Sequence, residues 1–183
     1  SPYEGEQKPG DPISEEQVRR KLALLQPYTQ WIRVFSCTEG NDIIPQLARE
    51  YGLKTLVGAW LGEDDEKNEE EMARLIELAQ AGFVDIAAVG NEVLYREEME
   101  EEDLIACIDR VREALPNVPV GYVDAYYEFT NRPKVTAACD VVLANCYPSW
   151  EGCHIDYSPL YMTQLYYQAN TNAPTQTTHN THN

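Results

Sequence analysis

Apolar stretches of strand length alternate along this chain with amphipathic stretches whose apolar residues recur at helical spacing. The apolar stretches predict five strands, at 31–36, 53–61, 84–91, 119–125 and 140–146. Six helices are predicted before, between and after them, bounded by Ser14 and Pro27, by Asn41 and Gly52, by Asp64 and Gly82, and covering 104–115, 132–138 and the residues after Ser158. Strand–helix alternation repeated this often predicts parallel βαβ units with right-handed crossovers.

Polar residues with capping properties mark the starts of these helices. Ser14 opens a Ser-Glu-Glu-Gln capping box, and Asn41 is predicted to cap the second helix. The acidic residues from Asp64 onward suit the positive end of the third helix dipole. Ser158, followed by Pro159 in the first helical position, predicts the start of the last helix.

The third strand ends in two polar residues whose presence strand packing does not explain. The stretch from Val84 to Gly90, apolar except for Asp85, leads directly into Asn91 and Glu92. At the carboxyl ends of parallel strands, polar side chains are commonly catalytic, and a buried unpaired carboxylate would be unfavourable. Glu92 is therefore a candidate catalytic carboxylate at the mouth of a cleft. The alternative is a strand that simply stops and releases two polar residues into a loop.

Three other segments of the chain have a similar arrangement, in which an apolar run leads into aromatic, glycine or polar residues. They are residues 31–38, residues 56–62, and residues 141–152, which contain Asn-Cys-Tyr-Pro-Ser-Trp-Glu-Gly, and a fourth segment, Ser1-Pro2-Tyr3, opens the chain. Together with the Val-Gly-Asn-Glu-Val segment, these motifs resemble glycoside hydrolase family 17, the β-1,3-glucanases and β-1,3-glucanosyltransferases. The similarity is to the short microbial type, and it runs in order from Ser1 to about Ala169.

The resemblance implies an α/β fold, a partial (β/α)8 TIM barrel. On this reading the second to sixth strands are present, and the first, seventh and eighth strands are missing. Residues 1–169 are predicted to form the glycosidase-like domain, and residues 170–183 a Thr/Asn-rich tail. The chain has 183 residues, whereas a complete barrel takes about 250.

The family resemblance also implies roles for two residues. In family 17 the glutamate of the Asn-Glu pair is the general acid/base, which here is Glu92, and the asparagine, here Asn91, binds a sugar hydroxyl. A retaining glycosidase also needs a second carboxylate as nucleophile, about 5 Å from the first. The family places it in a Glu-Thr-Gly-Trp-Pro-Ser motif, and this motif does not occur in the sequence. The resemblance further implies an extracellular or cell-wall location.

Aromatic residues are concentrated at or just beyond the predicted strand ends. Flat aromatic rings stack on the apolar faces of sugars, and their polar tips can bind the hydroxyls. This group comprises Tyr3, Trp60, Tyr122, Tyr126, Tyr127, Tyr147 and Trp150. Some of them must be core residues, and Tyr147 and Trp150 are the preferred substrate contacts. Tyr3, Trp60 and Glu151 are further candidates, Glu151 as a ligand for a hydroxyl.

Nothing in the sequence predicts a metal ion or an organic cofactor. The acidic runs 64–71 and 97–103 lack the Asp-x-Asp-x-Asp-Gly order of a calcium loop, so they are interpreted as solvated helix starts. The five cysteines have no Cys-x-x-Cys spacing, and either disulfides or buried thiols are compatible with them. His179 and His182 have no third ligand nearby in the sequence.

The charge of the chain restricts its partners. The formal net charge is −17, which repels nucleic acid and anionic membranes and suits a neutral ligand such as a β-glucan. Two functions remain open. The first is a retaining β-1,3-glucan hydrolase or transglycosylase without its nucleophile segment. The second is a non-catalytic glucan-binding or self-assembling protein of the same fold, whose open sheet edges are covered by other copies in a homo-oligomer.

Overall fold

Five parallel strands form one open sheet in the computed structural model, which describes residues 1–170. The strands are β1 (Trp31–Val34), β2 (Lys54–Ala59), β3 (Ile86–Asn91), β4 (Val120–Ala125) and β5 (Val141–Asn145). Their order in the sheet is their order in the chain, and every neighbouring pair is parallel. The predicted α/β fold with parallel strands is confirmed as part of a barrel. The numbering of these strands as second to sixth stays a prediction.

Helices follow the strands as the sequence pattern predicts. They are α1 (Glu15–Leu25), α2 (Ile43–Glu50), α3 (Asp65–Gln80), α4 (Glu101–Ala114), α5 (Tyr126–Asn131), α6 (Pro133–Ala138) and α7 (Ser158–Asn170), with a short 3-10 turn at Ile155–Tyr157. The segment predicted as one helix near 132–138 is α6, and α5 precedes it as a separate helix. The chain turns between them at Arg132, because Pro133 cannot continue a preceding helix and instead occupies the first turn of α6.

One of the three predicted helix caps forms as expected, since the Ser14 hydroxyl accepts a hydrogen bond from the amide of Gln17. Asp64, predicted only as an acidic helix start, also caps α3 with its carboxylate. Asn41 does not cap α2, because its side chain donates to the carbonyl of Thr38 at 3.0 Å and α2 starts one residue later. Ser158 is the first residue of α7 rather than its cap.

The hydrophobic core lies between one face of the sheet and the helices. Strand residues such as Val57, Ala87 and Val120 are fully buried there and belong to the same apolar cluster as Leu75 of α3. Side chains alternate along a strand, so within each strand the residues next to these core positions point to the opposite face of the sheet, which we call the inner face. Arg33 of β1 lies on this inner face. Among the described residues, β1 and β5 each pair with one neighbouring strand, so both edges of the sheet are open.

The five cysteines are free thiols, and no disulfide forms among them. Cys37 and Cys139 are buried, and burial raises the pKa of the Cys139 thiol to about 12. They therefore act as small apolar side chains in the core. Within residues 1–170 there is also no helix with the length and apolarity that crossing a membrane requires.

Candidate active site

The chain reaches the candidate acid through an irregularity at the end of β3. Ala87 and Val89 both face the helices, so strict alternation would point Asn91 in the same direction. A register shift between Ala88 and Asn91 inserts an extra residue opposite β4, and Gly90 has a φ of +85°. This β-bulge turns Asn91 toward the inner face of the sheet.

Glu92 follows the bulge in a left-handed backbone conformation, with φ +53°. Its amide donates to the carbonyl of Val123 at 2.7 Å, which ties it to β4. Its carboxylate accepts a hydrogen bond from the side-chain amide nitrogen (Nδ2) of Asn145, the last residue of β5, at 2.7 Å. Val142 and Ala144 pack against the core, so Asn145 points to the inner face and the Glu92 carboxylate lies there with it.

Asn91 is buried, and a guanidinium from the edge strand β1 holds its side chain. Arg33 Nη2 donates to Asn91 Oδ1 at 2.5 Å, across the intervening strand β2. Arg33 lies 4.1 Å above the ring of Phe35, and burial lowers the pKa of its guanidinium. Because arginine can only donate, this contact directs the amide oxygen toward Arg33 and leaves the amide nitrogen as the donor group of Asn91.

Trp60, at the end of β2, presents a half-exposed indole backed by a cation. The guanidinium of Arg96 lies 4.8 Å from the ring centroid. Arg96 also donates to the carbonyl oxygens of Leu61 and Asn91, and it pairs with Glu98 at 2.6 Å. The hydrogen bond to Glu98 raises the pKa of Arg96. Arg96 thus links the ends of β2 and β3 and occupies one side of the Trp60 ring.

Beneath Trp60, the carboxylate of Glu71 is completely buried, although the run 64–71 is predicted to be solvated. That prediction is wrong for Glu71 and for Asn68, whose amide bonds the backbone of Gly62 in both directions. Glu71 accepts hydrogen bonds from the Ser36 hydroxyl at 2.5 Å, the Cys37 amide at 2.8 Å, the Thr38 hydroxyl at 2.6 Å and the Trp60 amide at 3.1 Å. The carboxylate therefore joins the loops that follow β1 and β2. No group of three or more possible metal ligands occurs within residues 1–170.

The remaining candidates lie along two separate cavities and one exposed turn. Tyr3 and Trp60 line a cavity of about 740 Å³ beside β1, and Arg33 contributes to its wall. Tyr147 and Asn145 line a second cavity of about 450 Å³ at the β5 edge. Two hydrogen bonds connect these cavities across the inner face. Arg33 donates to Asn91, and Asn145 donates to Glu92, the residue that follows Asn91.

Trp150 and Glu151 lie in the turn after β5. Trp150 is 89% exposed, and its ring is 6.1 Å from that of Tyr147. Glu151 accepts hydrogen bonds from the hydroxyls of Tyr126 at 3.2 Å and Tyr161 at 2.7 Å, and these contacts raise the pKa of Tyr161 to about 12. The structure therefore does not bring Trp150 or Glu151 into either cavity.

The other candidate tyrosines differ in position. Tyr122 is fully buried and packs against Phe129, so it is one of the core residues that the prediction allowed for. Tyr126 and Tyr127 begin α5. The predicted tail at 170–183, including His179 and His182, lies outside the described residues except for Asn170, the last residue of α7.

Sequence reasoning did not identify Arg33, Arg96, Asn145 or Glu71 as contributors to this site. One signal was available for Asn145. This residue follows the apolar run 141–144, just as Asn91 follows the apolar run 86–90. A charged residue within the predicted strand 31–36 was a second signal, for Arg33. The positions of Glu71 and Arg96 depend on contacts that no local pattern encodes.

Comparison with known sequences places the chain among glycoside hydrolases. The family model for the BtgE/BtgC glycoside hydrolase domain matches residues 1–181. A glucan 1,3-β-glucosidase of Candida albicans is 24% identical over 148 residues, which are 71% of this chain and 48% of that protein. A glucan 1,3-β-glucosidase of Saccharomyces cerevisiae is 26% identical over 153 residues, 72% of this chain and 48% of that protein. The chain thus spans about half the length of these relatives.

Solved structures with a similar fold are also glycoside hydrolases. The β-1,3-glucanosyltransferase of Rhizomucor miehei, a glycoside hydrolase of family 17, superposes with a TM-score of 0.80 at 25% identity. The match covers 90% of this chain and 64% of that enzyme. An active-site mutant of the same enzyme, in complex with laminaritriose, matches equally well. A β-glucuronidase of Bacteroides uniformis, with a TM-score of 0.64 at 16% identity, shares the fold.

Proposed function

The chain belongs to the BtgE/BtgC glycoside hydrolase domain family, and on that premise we propose that it provides the acid/base half of a retaining site for β-1,3-glucan. The observation that carries the proposal is the position of the Glu92 carboxylate. It lies on the inner face at the carboxyl ends of the strands, in a hydrogen bond with Asn145. Active sites of barrel enzymes are built at this end of the strands.

In the proposed mechanism Glu92 protonates the leaving oxygen and later activates the incoming hydroxyl. The amide nitrogen of Asn91 donates to the hydroxyl next to the reacting carbon, in the orientation that Arg33 imposes on the amide. Trp60, Tyr147 and Tyr3 contact the neutral sugar rings, with Trp150 and Glu151 at the periphery. The relatives that act on 1,3-β-glucan support this choice of substrate. The proposed reaction uses no metal ion or organic cofactor.

Binding of laminaritriose, measured by calorimetric titration, tests the substrate assignment. We expect binding at millimolar ligand or below. Trp60→Ala should weaken binding about tenfold, because the loss of the stacking contact removes about 1.4 kcal/mol of binding free energy. The matched control is Trp31→Ala. Both tryptophans are 40% exposed, but Trp31 lies at the amino end of its strand, away from the site. Equal effects of the two variants, or no binding to the folded wild-type protein, would contradict the proposal.

We further propose that this chain alone does not complete hydrolysis and that its sheet edges are covered by other chains. Double displacement needs a second carboxylate, and the family's nucleophile motif is absent from the sequence. In the described part of the chain, residues 1–170, the edges at β1 and β5 are open, and their unpaired backbone groups favour association. This edge exposure also favours the second candidate function, a non-catalytic glucan-binding assembly.

Light scattering and a laminarin hydrolysis assay on the same preparation test both statements. The expected result is an oligomer, or a species that associates with rising concentration, without release of reducing sugar. A stable monomer that hydrolyses laminarin with retention of configuration would show both statements to be wrong. We also propose that the protein is extracellular or associated with the cell wall, and fractionation of the producing cells would test this location.

A further inference from the structure

The turn that carries Glu92 has two residues in an unfavourable backbone conformation. Glu92 and Glu97 have φ values of +53° and +57°. Between them the chain forms a hydrogen-bonded turn, in which the amide of Arg96 donates to the carbonyl of Glu92 at 2.8 Å, and the amide of Glu98 closes it by donating to the carbonyl of Val93 at 3.0 Å. A left-handed conformation at a residue other than glycine is unfavourable and persists only where its surroundings enforce it. The contacts that hold this turn therefore also fix the direction of the Glu92 side chain.

These contacts come from two buried residues of β4. The Tyr122 hydroxyl accepts a hydrogen bond from the amide of Leu94 at 3.0 Å and donates one to the Asp124 carboxylate. Asp124 also accepts from the amide of Ala125 at 2.7 Å and, at 3.4 Å, from the amide of Tyr95. Both side chains are completely buried. Two successive amides of the turn are thus bound by one hydroxyl–carboxylate pair.

The Tyr122 ring also supports the bulge that precedes Glu92. A Cβ atom at Gly90 would lie 3.3 Å from Cε2 of Tyr122, so the ring packs directly against the backbone there. This crowding and the positive φ at position 90 both favour glycine. Tyr122 therefore touches the chain on both sides of the Asn91–Glu92 pair.

Asp124 lies in surroundings that disfavour its charge. Burial raises the pKa of its carboxyl group to about 6. This value already includes a smaller increase caused by Glu128 of α5, which is paired with Arg132, and decreases caused by the hydrogen bonds from Tyr122 and from the backbone. Retention of a carboxyl group in such a place, where an apolar residue would pack without this penalty, is most simply explained by its contacts to the turn.

We infer that Tyr122 and Asp124 are positioning residues for Glu92, a buried pair that fixes the turn at 92–98. The effect on catalysis rests on the proposed function, but the structural role of the pair does not. Tyr122→Phe keeps the ring and leaves the Leu94 amide without its acceptor. Asp124→Asn puts an amide NH₂ group where three donors now meet two carboxylate oxygens, so at least one donor loses its partner.

Amide hydrogen exchange, resolved to single residues by NMR, tests this role. In Tyr122→Phe we expect exchange at Leu94 to accelerate at least tenfold, and in Asp124→Asn we expect the same at Tyr95 or at Ala125, whichever amide faces the new NH₂ group. Amides within β2 should keep their rates in both variants. The control is Tyr51→Phe, which changes a half-buried tyrosine on the α2 side of the core and should leave the turn unaffected. Unchanged exchange at Leu94 in Tyr122→Phe, together with unchanged exchange at both Tyr95 and Ala125 in Asp124→Asn, would overturn the inference if both variants are folded.

A pH series gives a second readout that packing alone would not change. The pKa of Asp124 is raised from 3.8 to about 6 in the folded protein. Between about pH 4 and about pH 6 the carboxyl group therefore keeps its proton in the folded state, whereas it has lost this proton in the unfolded chain. Stability of the wild-type protein relative to Asp124→Asn should therefore fall as the pH rises from about 4 to about 6, and stay constant above. A constant difference over the whole range would count against the assigned environment of Asp124.

Titration with laminaritriose separates failure of this inference from failure of the proposed function. If the wild-type protein does not bind the sugar, the proposed function fails, and hydrogen exchange still decides the role of the pair. If it binds, Tyr122→Phe and Asp124→Asn should each weaken binding at least threefold through displacement of Asn91. Unaltered affinity together with unaltered exchange would leave the pair without a positioning role.

Discussion

With α-laminaribiosyl fluoride as donor and laminaribiose as acceptor, this chain is expected to form a β-1,3-linked product, and Glu92→Gln is expected to lower the rate by about 10²- to 10⁴-fold. The α-fluoride stands in for the covalent glycosyl intermediate of a retaining enzyme, so the reaction needs no protein nucleophile. Glu92, as the base, removes the proton from the acceptor hydroxyl. The new C–O bond forms as the C–F bond breaks, and fluoride leaves. A fluoride electrode and product chromatography measure the rate.

Glu97→Gln is the matched control for this prediction. Glu97 lies on the same turn, has a similar backbone conformation with φ +57°, and is exposed. Its replacement should leave the rate within about twofold. Glu92→Gln should also leave laminaritriose affinity nearly unchanged, since it removes an ionisable group and keeps the shape. Wild-type protein that binds the sugar but forms no product would favour the non-catalytic function. Equal rates for the wild type and Glu92→Gln would show that another group is the base.

Glu71→Ala is expected to lower the free energy of unfolding by about 3–5 kcal/mol. The substitution removes both oxygens that bind Ser36, Cys37, Thr38 and the Trp60 amide. Each buried donor left without a partner is unfavourable by about 1–3 kcal/mol, and the two hydroxyls can partly satisfy each other. Denaturation in urea at neutral pH, followed by circular dichroism, measures the loss.

The control for this second prediction is Glu70→Ala on the same helix. The Glu70 side chain is 64% exposed, and its contact with Lys67 is 3.9 Å, so its loss should change stability by less than about 0.5 kcal/mol. Glu71→Gln should lie between the two, because one carbonyl oxygen is kept. A loss below about 1 kcal/mol for Glu71→Ala would mean that water replaces the carboxylate without difficulty.

The sequence alone determined the order and type of the main elements. Apolar runs and helical periods are local properties, and burial on one face of a parallel sheet enforces them, so the five predicted strands occur where the pattern places them. The position of Glu92 at a strand end was also readable, because the chain changes there from apolar to polar within one residue. The helix boundaries near Asn41 and Ser158 were less certain, since several polar residues compete for each cap.

Only the tertiary structure decided which face each polar residue occupies and what holds it there. Asn91 reaches the inner face because a bulge interrupts the alternation, and Arg33, which fixes it, lies 58 positions earlier. Asn145 is 53 positions from Glu92, and Glu71 is buried because four donors from two other loops converge on it. These contacts join residues that are distant in the chain. A periodic pattern indicates whether a position is buried, but it does not indicate which partner the side chain meets there, so the sequence did not predict the contacts of Glu92 or the burial of Glu71.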